Sequence, residues 1–169
     1  MTNWSIAAAI YLPMLVEARR AARNERTQLA RGGIEPRDDV YNVMRIAYPV
    51  GFAAMLVELT VRGRPPAEML LAGGAVFACA KALKWWAIAT LGRAWTFRVI
   101  AVPASPLVTG GPYRFLRHPN YVGVIGEFVG AALLTGARVA GPAATLLFGV
   151  LVIKRIRVEE RLLAATRTS

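Results

Sequence analysis

Cysteine and histidine are nearly absent from this chain of 169 residues, which contains one of each. The single cysteine, Cys79, excludes a disulfide framework, and no cysteine cluster exists to bind a metal, so we predict no metal site. Because Cys79 lies inside an apolar run, we expect it to be a small buried apolar residue. The histidine, His118, lies between Arg117 and Pro119 at the start of a long apolar segment. A titratable group there is costly in a membrane, so His118 is the first candidate for function.

Acidic residues are also scarce, since 10 Asp and Glu stand against 21 Lys and Arg, giving a formal net charge of +11. Such a charge can indicate nucleic-acid binding, but the arginines lie in short groups at the ends of apolar runs, as the positive-inside rule describes. With 56% hydrophobic residues and a mean hydropathy of +0.42, the chain has more apolar surface than a soluble domain of this length can bury. The composition therefore predicts an integral membrane protein without a nucleic-acid partner.

The pattern of apolar runs predicts an all-α bundle of about five transmembrane helices in a single domain, residues 1–169. The segments, each compared with the roughly 20 residues that cross a bilayer, cover residues 3–18, 43–61, 68–91, 121–135 and 139–153. Residues 1–91 hold the first three spans, and residues 92–169 hold a loop, the last two spans and a charged helix end. A cleaved signal peptide is the alternative for the first segment, but its positive charge follows the apolar run, which favours a retained helix.

Lys and Arg are distributed unevenly among the connections. The first and third connections and the C-terminal tail are rich in them, whereas the other two connections hold only Arg62, Arg64 and Arg138. This alternation predicts an N-terminus outside and a C-terminus in the cytoplasm, with the His118 region on the cytoplasmic side. A soluble cofactor would be available on that side.

The connection at residues 92–120 is too apolar for a solvated linker and too rich in Gly and Pro for a helix. We expect it to fold back against the helix ends and to present main-chain N–H and C=O groups to a ligand. On these residues alone, an interfacial re-entrant loop with an aromatic belt is an equally good interpretation.

The last segment continues into KRIRVEERLL, in which Arg155 and Glu159 lie four residues apart on one helix face. By itself this pattern is typical of a surface helix end with i,i+4 ion pairs. A turn at Gly136 makes the last two segments a C-terminal helical hairpin, which brings His118 and Tyr121 beside Glu159. The sequence thus predicts one polar site built from both ends of the hairpin.

GPYRFLRHPNYVG, residues 111–123, with Glu159 and Glu160 downstream, resembles the isoprenylcysteine carboxyl methyltransferase family. This family groups with the phospholipid N-methyltransferases as integral membrane enzymes that use S-adenosylmethionine, and the resemblance covers residues 91–163. It implies a cofactor-binding loop between the third and fourth spans and a substrate contact on Arg155. It also implies cofactor contacts on Pro106, Leu107, Val108, Tyr113, His118, Pro119, Asn120, Tyr121 and Glu159.

A narrower resemblance is carried by RNERTQLARGGIEP and LGRAWTFRVIAVP, residues 23–36 and 91–103. These segments are similar to a bacterial branch that methylates hydroxyls of long-chain polyketide lipids such as alkylresorcinols and alkylpyrones. The chain departs from the family at Arg98, which stands where family enzymes contact the cofactor through an uncharged amide.

The chemistry implied by the resemblance is modest. S-adenosylmethionine carries its own leaving group, S-adenosylhomocysteine, so the protein has to align the methyl with a nucleophilic oxygen and exclude water. Glu159 suits the cofactor's ammonium or ribose hydroxyls, and His118 can bond its carboxylate or ribose while capping the fourth span. Arg155 would orient a carboxylate acceptor. A phenol would gain from a base or a cation, for which His118 and Arg155 are both catalytic candidates.

Charged residues inside the spans leave further alternatives. Glu127 is either paired with Lys81 or Lys84, or part of the binding site for the acceptor substrate. Lys84, beside two tryptophans, is more typical of a snorkelling anchor, and Glu58 receives no role. The acceptor is expected to be lipophilic and to enter from the bilayer lipids. The alternatives are phospholipid N-methylation and a non-enzymatic transport or lipid-binding protein in which the His118 cluster only caps a helix.

Overall fold

Five α-helices account for most of the chain, whose computed structural model describes residues 3–103 and 105–166. The helices are α1 (Asn3–Ala30), α2 (Tyr41–Arg62), α3 (Ala67–Leu91), α4 (Pro119–Thr135) and α5 (Ala140–Ala165). Two short 3-10 helices, Gly92–Ala94 and Gly111–Arg114, lie in the loop between α3 and α4. Within the described ranges the only β-type pairing is an isolated bridge between Ile34 and Ala101. The predicted all-α class is therefore confirmed.

The helices extend beyond several of the predicted segments. α1 continues to Ala30 and α5 to Ala165, so the charged stretches after their apolar parts are helical as well. Two helical stretches in the described part of the chain, Tyr41–Arg62 and Ala67–Ala94, are long and apolar enough to cross a membrane. The count of five spans stays a prediction, because α4 has 17 residues and α1 and α5 carry many charges.

α3 and α4 form the closest helix pair of the bundle. Glycines of α4 make this approach possible: a Cβ on Gly130 would lie 2.5 Å from the backbone nitrogen of Phe77, and one on Gly123 would lie 2.8 Å from Lys84 Cβ. Small residues at a membrane helix interface let the two backbones come together in this way. Cys79 lies on the outer side of α3 and is exposed, so the prediction that it is buried was wrong. The outward surface of this helix is apolar too, as Leu71 and Val76 show.

Aromatic rings fill the core between α2, α4 and α5. The rings of Phe52 and Phe128 stack with centroids 4.5 Å apart, and Phe148 lies 4.9 Å from Phe128. The ring of Tyr48 stands edge-on to that of Phe52, with centroids 5.1 Å apart, and is tilted against that of Phe148 at 5.4 Å. Stacked and edge-on pairs of this kind add stability beyond the area they bury.

The hairpin of α4 and α5 turns at Gly136, which adopts a left-handed φ of 63° that favours glycine. Glu58 of α2 accepts hydrogen bonds from the backbone N–H groups of Arg138, Val139 and Ala140 at the start of α5. A carboxylate at a helix N-terminus satisfies free N–H groups and the helix dipole. Glu58, to which the sequence assigned no role, therefore caps α5.

The C-terminal half of α1 is attached to the start of the α3–α4 loop by polar side chains. Asn24 Nδ2 donates to the carbonyl oxygens of Gly92 and Trp95 at 3.0 and 2.7 Å. Gln28 donates to the Arg93 carbonyl, and Glu25 accepts from two backbone N–H groups of the same loop. The first part of this loop therefore folds back against the end of α1.

Candidate active site

The two ends of the α4–α5 hairpin meet in a polar cluster. Tyr121 Oη donates to Glu159 Oε2 at 2.7 Å and accepts from Arg155 Nε at 2.9 Å. His118 Nε2 lies 3.2 Å from Glu160 Oε1, and its ring centroid lies 5.7 Å from that of Tyr121. The structure thus brings the two stretches of the motif together, with Glu160 as the partner of His118 and Glu159 as the partner of Tyr121.

His118 occupies the N-cap position of α4, but its side chain makes no capping hydrogen bond. Its backbone carbonyl instead accepts from the N–H groups of Tyr121 and Val122. The expectation that the imidazole caps the helix was therefore wrong, since the ring turns toward α5 and Glu160. Pro119, the first helical residue, is buried, and its missing N–H suits that position.

Each of the three guanidinium nitrogens of Arg155 donates to a protein partner. Its Nη1 donates to Asp39 Oδ1 at 2.8 Å, its Nη2 donates to the Phe97 carbonyl, and its Nε donates to Tyr121. The side chain is 6% exposed and that of Asp39 is 5% exposed. The alternative of a surface i,i+4 ion pair between Arg155 and Glu159 does not form, because the connection after α1 folds over the loop and brings Asp39 to Arg155. A contact of Arg155 with substrate stays a prediction.

Tyr113 and Asn120 also border this cluster. Burial raises the pKa of Tyr113, and the charge of Glu159 raises it further, so this phenol stays protonated in neutral solution. Asn120 Oδ1 accepts a hydrogen bond from Trp95 Nε1 at 3.3 Å. Tyr113 can thus act as a donor near Glu159, while Asn120 connects α4 to the loop.

The remaining predicted cofactor residues lie apart from these contacts. Pro106, Leu107 and Val108 lie in a loop segment without regular secondary structure, in which Leu107 is exposed. Within the described ranges, no hydrogen bond or ion pair joins them to His118 or Glu159. Their cofactor contacts stay a prediction.

Arg98, the departure from the family pattern, is paired within the protein. Both oxygens of Glu35 accept from its Nη1 at 2.9 Å, and this hydrogen bond raises the pKa of the guanidinium. Because Glu35 follows α1, the pair adds to the attachment between the first connection and the loop.

A cavity of about 370 Å³ lies beside the cluster and extends into the bundle. Its lining is mostly apolar and comes from all five helices and the loop, with Met14, Met44, Val124 and Phe148 among the wall residues. The polar lining comes from Tyr11, Glu17, Tyr41, Arg45, Tyr48, Lys84, Thr96, Asn120, Tyr121 and Arg155. A concave apolar site with a few convergent polar groups is typical of a ligand pocket.

A second polar cluster, buried among α1 to α4, reaches the cavity wall. Lys84 Nζ lies 2.6 Å from Glu17 Oε2 and 3.2 Å from Glu127 Oε2, and Lys81 Nζ lies 2.7 Å from Glu127 Oε1. Glu127 is thus paired with both lysines and is not among the residues that line the cavity. Its contact with substrate stays a prediction. Lys84 is 3% exposed, so its assignment as a snorkelling anchor was wrong.

Glu17 and Tyr48 were missed by the sequence analysis. The signal that was available is a lone carboxylate in the first apolar segment and two lysines in the third, since charges at that depth pair with one another. Tyr48 gave no such signal, because its hydroxyl meets Glu127 and Lys84 only through the tertiary fold.

Comparisons with known proteins bear on this arrangement. The uncharacterized protein YpbQ of Bacillus subtilis (strain 168) is 29% identical over 160 residues, which is 95% of each chain. An uncharacterized protein of Haemophilus influenzae is 23% identical over 139 residues, covering 82% of this chain and 81% of the relative. The cobalt-zinc-cadmium resistance protein CzcN of Cupriavidus metallidurans is 34% identical over 79 residues, 46% of this chain and 37% of that protein. No solved structure matches the chain.

Residues 72–165, which contain α4, α5 and the polar cluster at their ends, match the model of the isoprenylcysteine carboxyl methyltransferase family. In the described part of the chain, no group of three or more His, Cys, Asp or Glu side chains could hold a metal ion. Membership of this family, together with the two candidate membrane spans, indicates an integral membrane methyltransferase. Because the matched residues make up more than half of the sequence, the chain belongs to the isoprenylcysteine carboxyl methyltransferase family.

Proposed function

We propose that this protein is an S-adenosylmethionine-dependent O-methyltransferase that acts on a carboxylate or hydroxyl oxygen of a lipophilic acceptor. One observation carries the proposal: Tyr121 and Arg155 belong both to the polar cluster of the hairpin and to the lining of the apolar cavity. A polar cofactor held at the hairpin would therefore meet an apolar ligand held in the cavity. Methyl transfer to a lipid requires a polar cofactor and an apolar acceptor to be bound side by side.

The residues of the hairpin fit such a cofactor in their donors and acceptors. Tyr121 occupies one oxygen of Glu159, and no described residue bonds the other, Oε1, which can accept from a ribose hydroxyl or an ammonium. Tyr113 remains a protonated donor nearby, and the imidazole of His118 is partly exposed, at 19%. When bound, S-adenosylmethionine supplies an electrophilic methyl together with its own leaving group.

The cavity supports the second half of the proposal, an acceptor that comes from the bilayer. Its walls combine methionine, valine and phenylalanine side chains with Trp95 and Phe97 of the loop. These side chains can bury the hydrocarbon body of an acceptor and exclude water from the transfer. Arg155 positions Tyr121 at the boundary between the two ligands through the 2.9 Å bond from its Nε.

Cofactor binding is the first test. Calorimetry with S-adenosylhomocysteine on the detergent-purified protein should give micromolar affinity. His118→Ala and Glu159→Gln should each weaken it by roughly 1 to 3 kcal/mol, because each loses a polar contact in a partly desolvated site. Glu68→Gln, an exposed carboxylate at the other end of α3, is the matched control and should bind as wild type does. No binding by the wild type would refute the proposal. Unchanged affinity in both site variants would mean that the cofactor binds at another site.

Methyl transfer is the second test and separates the proposed reaction from its alternatives. Membranes that contain the protein are incubated with methyl-labelled S-adenosylmethionine and, in parallel, 4-dodecylphenol, 4-dodecylbenzoate or phosphatidylethanolamine. Label in a methyl ether or methyl ester supports O-methylation. Label only in the phospholipid would favour N-methylation, and cofactor binding without any transfer would favour a non-enzymatic protein.

The orientation of the chain is part of the same proposal, because S-adenosylmethionine is made in the cytoplasm. With Cys79→Ala as background, a cysteine introduced by Thr109→Cys should resist an impermeant thiol reagent in intact cells and react after the membrane is opened. Arg138→Cys, at the opposite end of the hairpin, should react in intact cells. Labelling of the Thr109→Cys protein from outside would overturn both the orientation and the route of the cofactor.

A further inference from the structure

Asp39, in the connection that follows α1, accepts hydrogen bonds from three parts of the chain. Its Oδ1 accepts from Arg155 Nη1 at 2.8 Å and from the Tyr41 N–H at 3.1 Å, and its Oδ2 accepts from the Val99 N–H at 2.9 Å. The side chain is 5% exposed. Because two of these donors are backbone groups of α2 and of the α3–α4 loop, the position of the carboxylate does not depend on Arg155 alone.

A chain of hydrogen bonds leads from Asp39 to the proposed cofactor site. Arg155 Nε donates to Tyr121 Oη at 2.9 Å, and Tyr121 Oη donates to Glu159 Oε2 at 2.7 Å. A guanidinium has donors only, so Tyr121 has to accept from Arg155 and gives its single proton to Glu159. Asp39 therefore acts on the cofactor site through Arg155, whose guanidinium it orients.

Arg155 has a second carboxylate within reach along its own helix. Glu159 lies four residues later on α5, the spacing at which opposite charges pair on a helix surface. In the described part of the chain this ion pair is not formed, and the hydrogen bond that Glu159 accepts comes from Tyr121. The charge of Arg155 is balanced by Asp39 instead. Glu159 is thereby left without a cationic partner among the described residues, and its Oε1 stays open.

Loss of Asp39 would deprive a buried guanidinium of its counter-charge, because the side chain of Arg155 is only 6% exposed. An unpaired charge in a site of low dielectric is costly. Arg155 would therefore turn to Glu159, one turn further along α5. Their ion pair would occupy the oxygen that a cofactor needs, so the local pair that the sequence pattern favours would close the site.

We propose that Asp39 is a positioning residue that keeps Arg155 away from Glu159 and so leaves Glu159 open to S-adenosylmethionine. The inference rests on the proposed function, since it takes Glu159 to be a ligand of the cofactor. It extends the machinery of the cofactor site to the connection after α1, which lies outside the matched region at residues 72–165.

A double-mutant cycle tests this arrangement, with S-adenosylhomocysteine as the probe in calorimetry on the detergent-purified protein. Asp39→Ala should weaken binding about tenfold or more, and Arg155→Met should weaken it less. Asp39→Ala/Arg155→Met removes both charges and should bind at least about threefold more tightly than Asp39→Ala. A merely structural role of Asp39 predicts the opposite, a double variant that binds no better than the single one.

Asp38→Ala is the matched control, because this neighbouring aspartate is 57% exposed and pairs with Arg161. It should bind the probe as the wild type does. If Asp39→Ala does not fold, Asp39→Asn takes its place, since it keeps the volume and one acceptor oxygen and removes the charge. The loss should then be about threefold or more, and Arg155→Met should again relieve it.

A measurement without cofactor identifies the carboxylate that holds Arg155. Glu159→Gln is introduced into the wild type and into Asp39→Ala, and thermal unfolding is followed by circular dichroism. Glu159→Gln should lower the melting temperature by about 2 °C or more beyond its effect in the wild type when Asp39 is absent, because only there is Glu159 the counter-ion of Arg155.

Four results would overturn the proposal. They are an Asp39→Ala protein that binds the probe as the wild type does, a double variant that binds no better than Asp39→Ala, an equal loss in Asp38→Ala, and equal effects of Glu159→Gln in both backgrounds. Failure of the proposed function is recognised separately, by the absence of S-adenosylhomocysteine binding to the wild type. The unfolding measurement would then still decide whether Asp39 keeps Arg155 from Glu159.

Discussion

The helix pair α3–α4 and the junction between α1 and the rest of the bundle are built in opposite ways. α3 and α4 meet backbone to backbone, with Gly73 and Gly130 each at a position where a Cβ would come within 2.5 Å of a backbone nitrogen on the other helix. α1 buries Ile6 and Ile10 in the apolar core, but from Tyr11 onward it meets the rest of the bundle through long polar side chains as well. Tyr11 Oη donates to the Pro49 carbonyl at 2.9 Å, Glu17 reaches Lys84 at 2.6 Å, and Asn24 reaches the loop after α3.

The difference explains where the cavity lies. Two helices that touch through glycine leave no volume between them, and the dispersion contacts along the seam make it rigid. Side chains of glutamate and lysine can bridge helices that stand further apart, and the space between such bridges remains open. α1 supplies cavity lining from Tyr11 to Ala18, whereas α3 supplies only Lys84. A ligand site is thus expected beside polar bridges and not beside a glycine seam.

The largest effect should come from the buried ion pairs that join α1 and α4 to the lysines of α3. Lys84→Met leaves two buried carboxylates opposite one ammonium, Lys81, and should lower the free energy of unfolding by about 3 to 5 kcal/mol. Thermal unfolding in detergent, followed by circular dichroism, measures the change. Lys154→Met, an exposed lysine of α5, should stay within about 0.5 kcal/mol of wild type. Equal midpoints for the two variants would mean that the bridge does not hold α1.

The next effect concerns the glycine seam. Gly130→Ala places a methyl 2.5 Å from the Phe77 backbone nitrogen and should cost about 1 to 3 kcal/mol, although alanine favours a helix. Gly149→Ala, on α5 with nothing within 4 Å of the added Cβ, should be neutral or stabilising by up to about 1 kcal/mol. The same unfolding assay applies. A stable Gly130→Ala protein would show that the seam can open without cost.

A smaller effect should follow from weakening only the attachment of the α3–α4 loop to α1. Asn24→Ala removes two hydrogen bonds to the carbonyls of Gly92 and Trp95, at 3.0 and 2.7 Å, and should cost about 1 to 2 kcal/mol. Hydrogen exchange should become faster in residues 92–98 and stay unchanged along α4. Thr27→Ala, which loses only an exposed bond within α1, is the control. Faster exchange throughout the bundle would contradict the local character of this attachment.

The smallest effect concerns an exposed ion pair between α5 and the connection that follows α1. In this pair Arg161 Nη2 lies 2.5 Å from Asp38 Oδ2. The hydrogen bond from Arg161 lowers the pKa of Asp38 below its value in the unfolded chain, about 3.9. Its stabilisation is therefore present above that pH and lost as the pH falls through the folded pKa. A carboxyl NMR titration should give Asp38 a normal pKa in Arg161→Met, and an unchanged low pKa would exclude this pair as its cause.

The sequence predicted the parts of the fold that depend on local pattern. The apolar runs gave the all-α class, and Gly136 gave the turn of the hairpin, since each signal lies within a few residues. The pairing of Glu127 with lysines of α3 was also predictable, because buried charges require counter-charges. The family followed from a motif that is continuous at residues 111–123.

Other contacts depend on folding between distant segments and could not be predicted. Arg155 and Asp39 are 116 residues apart, and Asp39 lies in a connection that carries no motif. The i,i+4 pattern pointed to Glu159 as the partner of Arg155, but tertiary packing replaced this local pair with a buried one. Glu17 presented the same difficulty, because one carboxylate in an apolar run does not indicate which helix will neutralise it.

The partnership of Glu17 also has a consequence for how the chain enters the membrane during synthesis. Its counter-ions, Lys81 and Lys84, lie 64 and 67 residues later, so α1 leaves the ribosome long before its charge can be neutralised. An unpaired carboxylate is expensive in hydrocarbon. We therefore expect α1 to wait at the membrane surface until α3 arrives. The first helix to be made would then be the last to dock, closing the cavity only after the α3–α4 pair has formed.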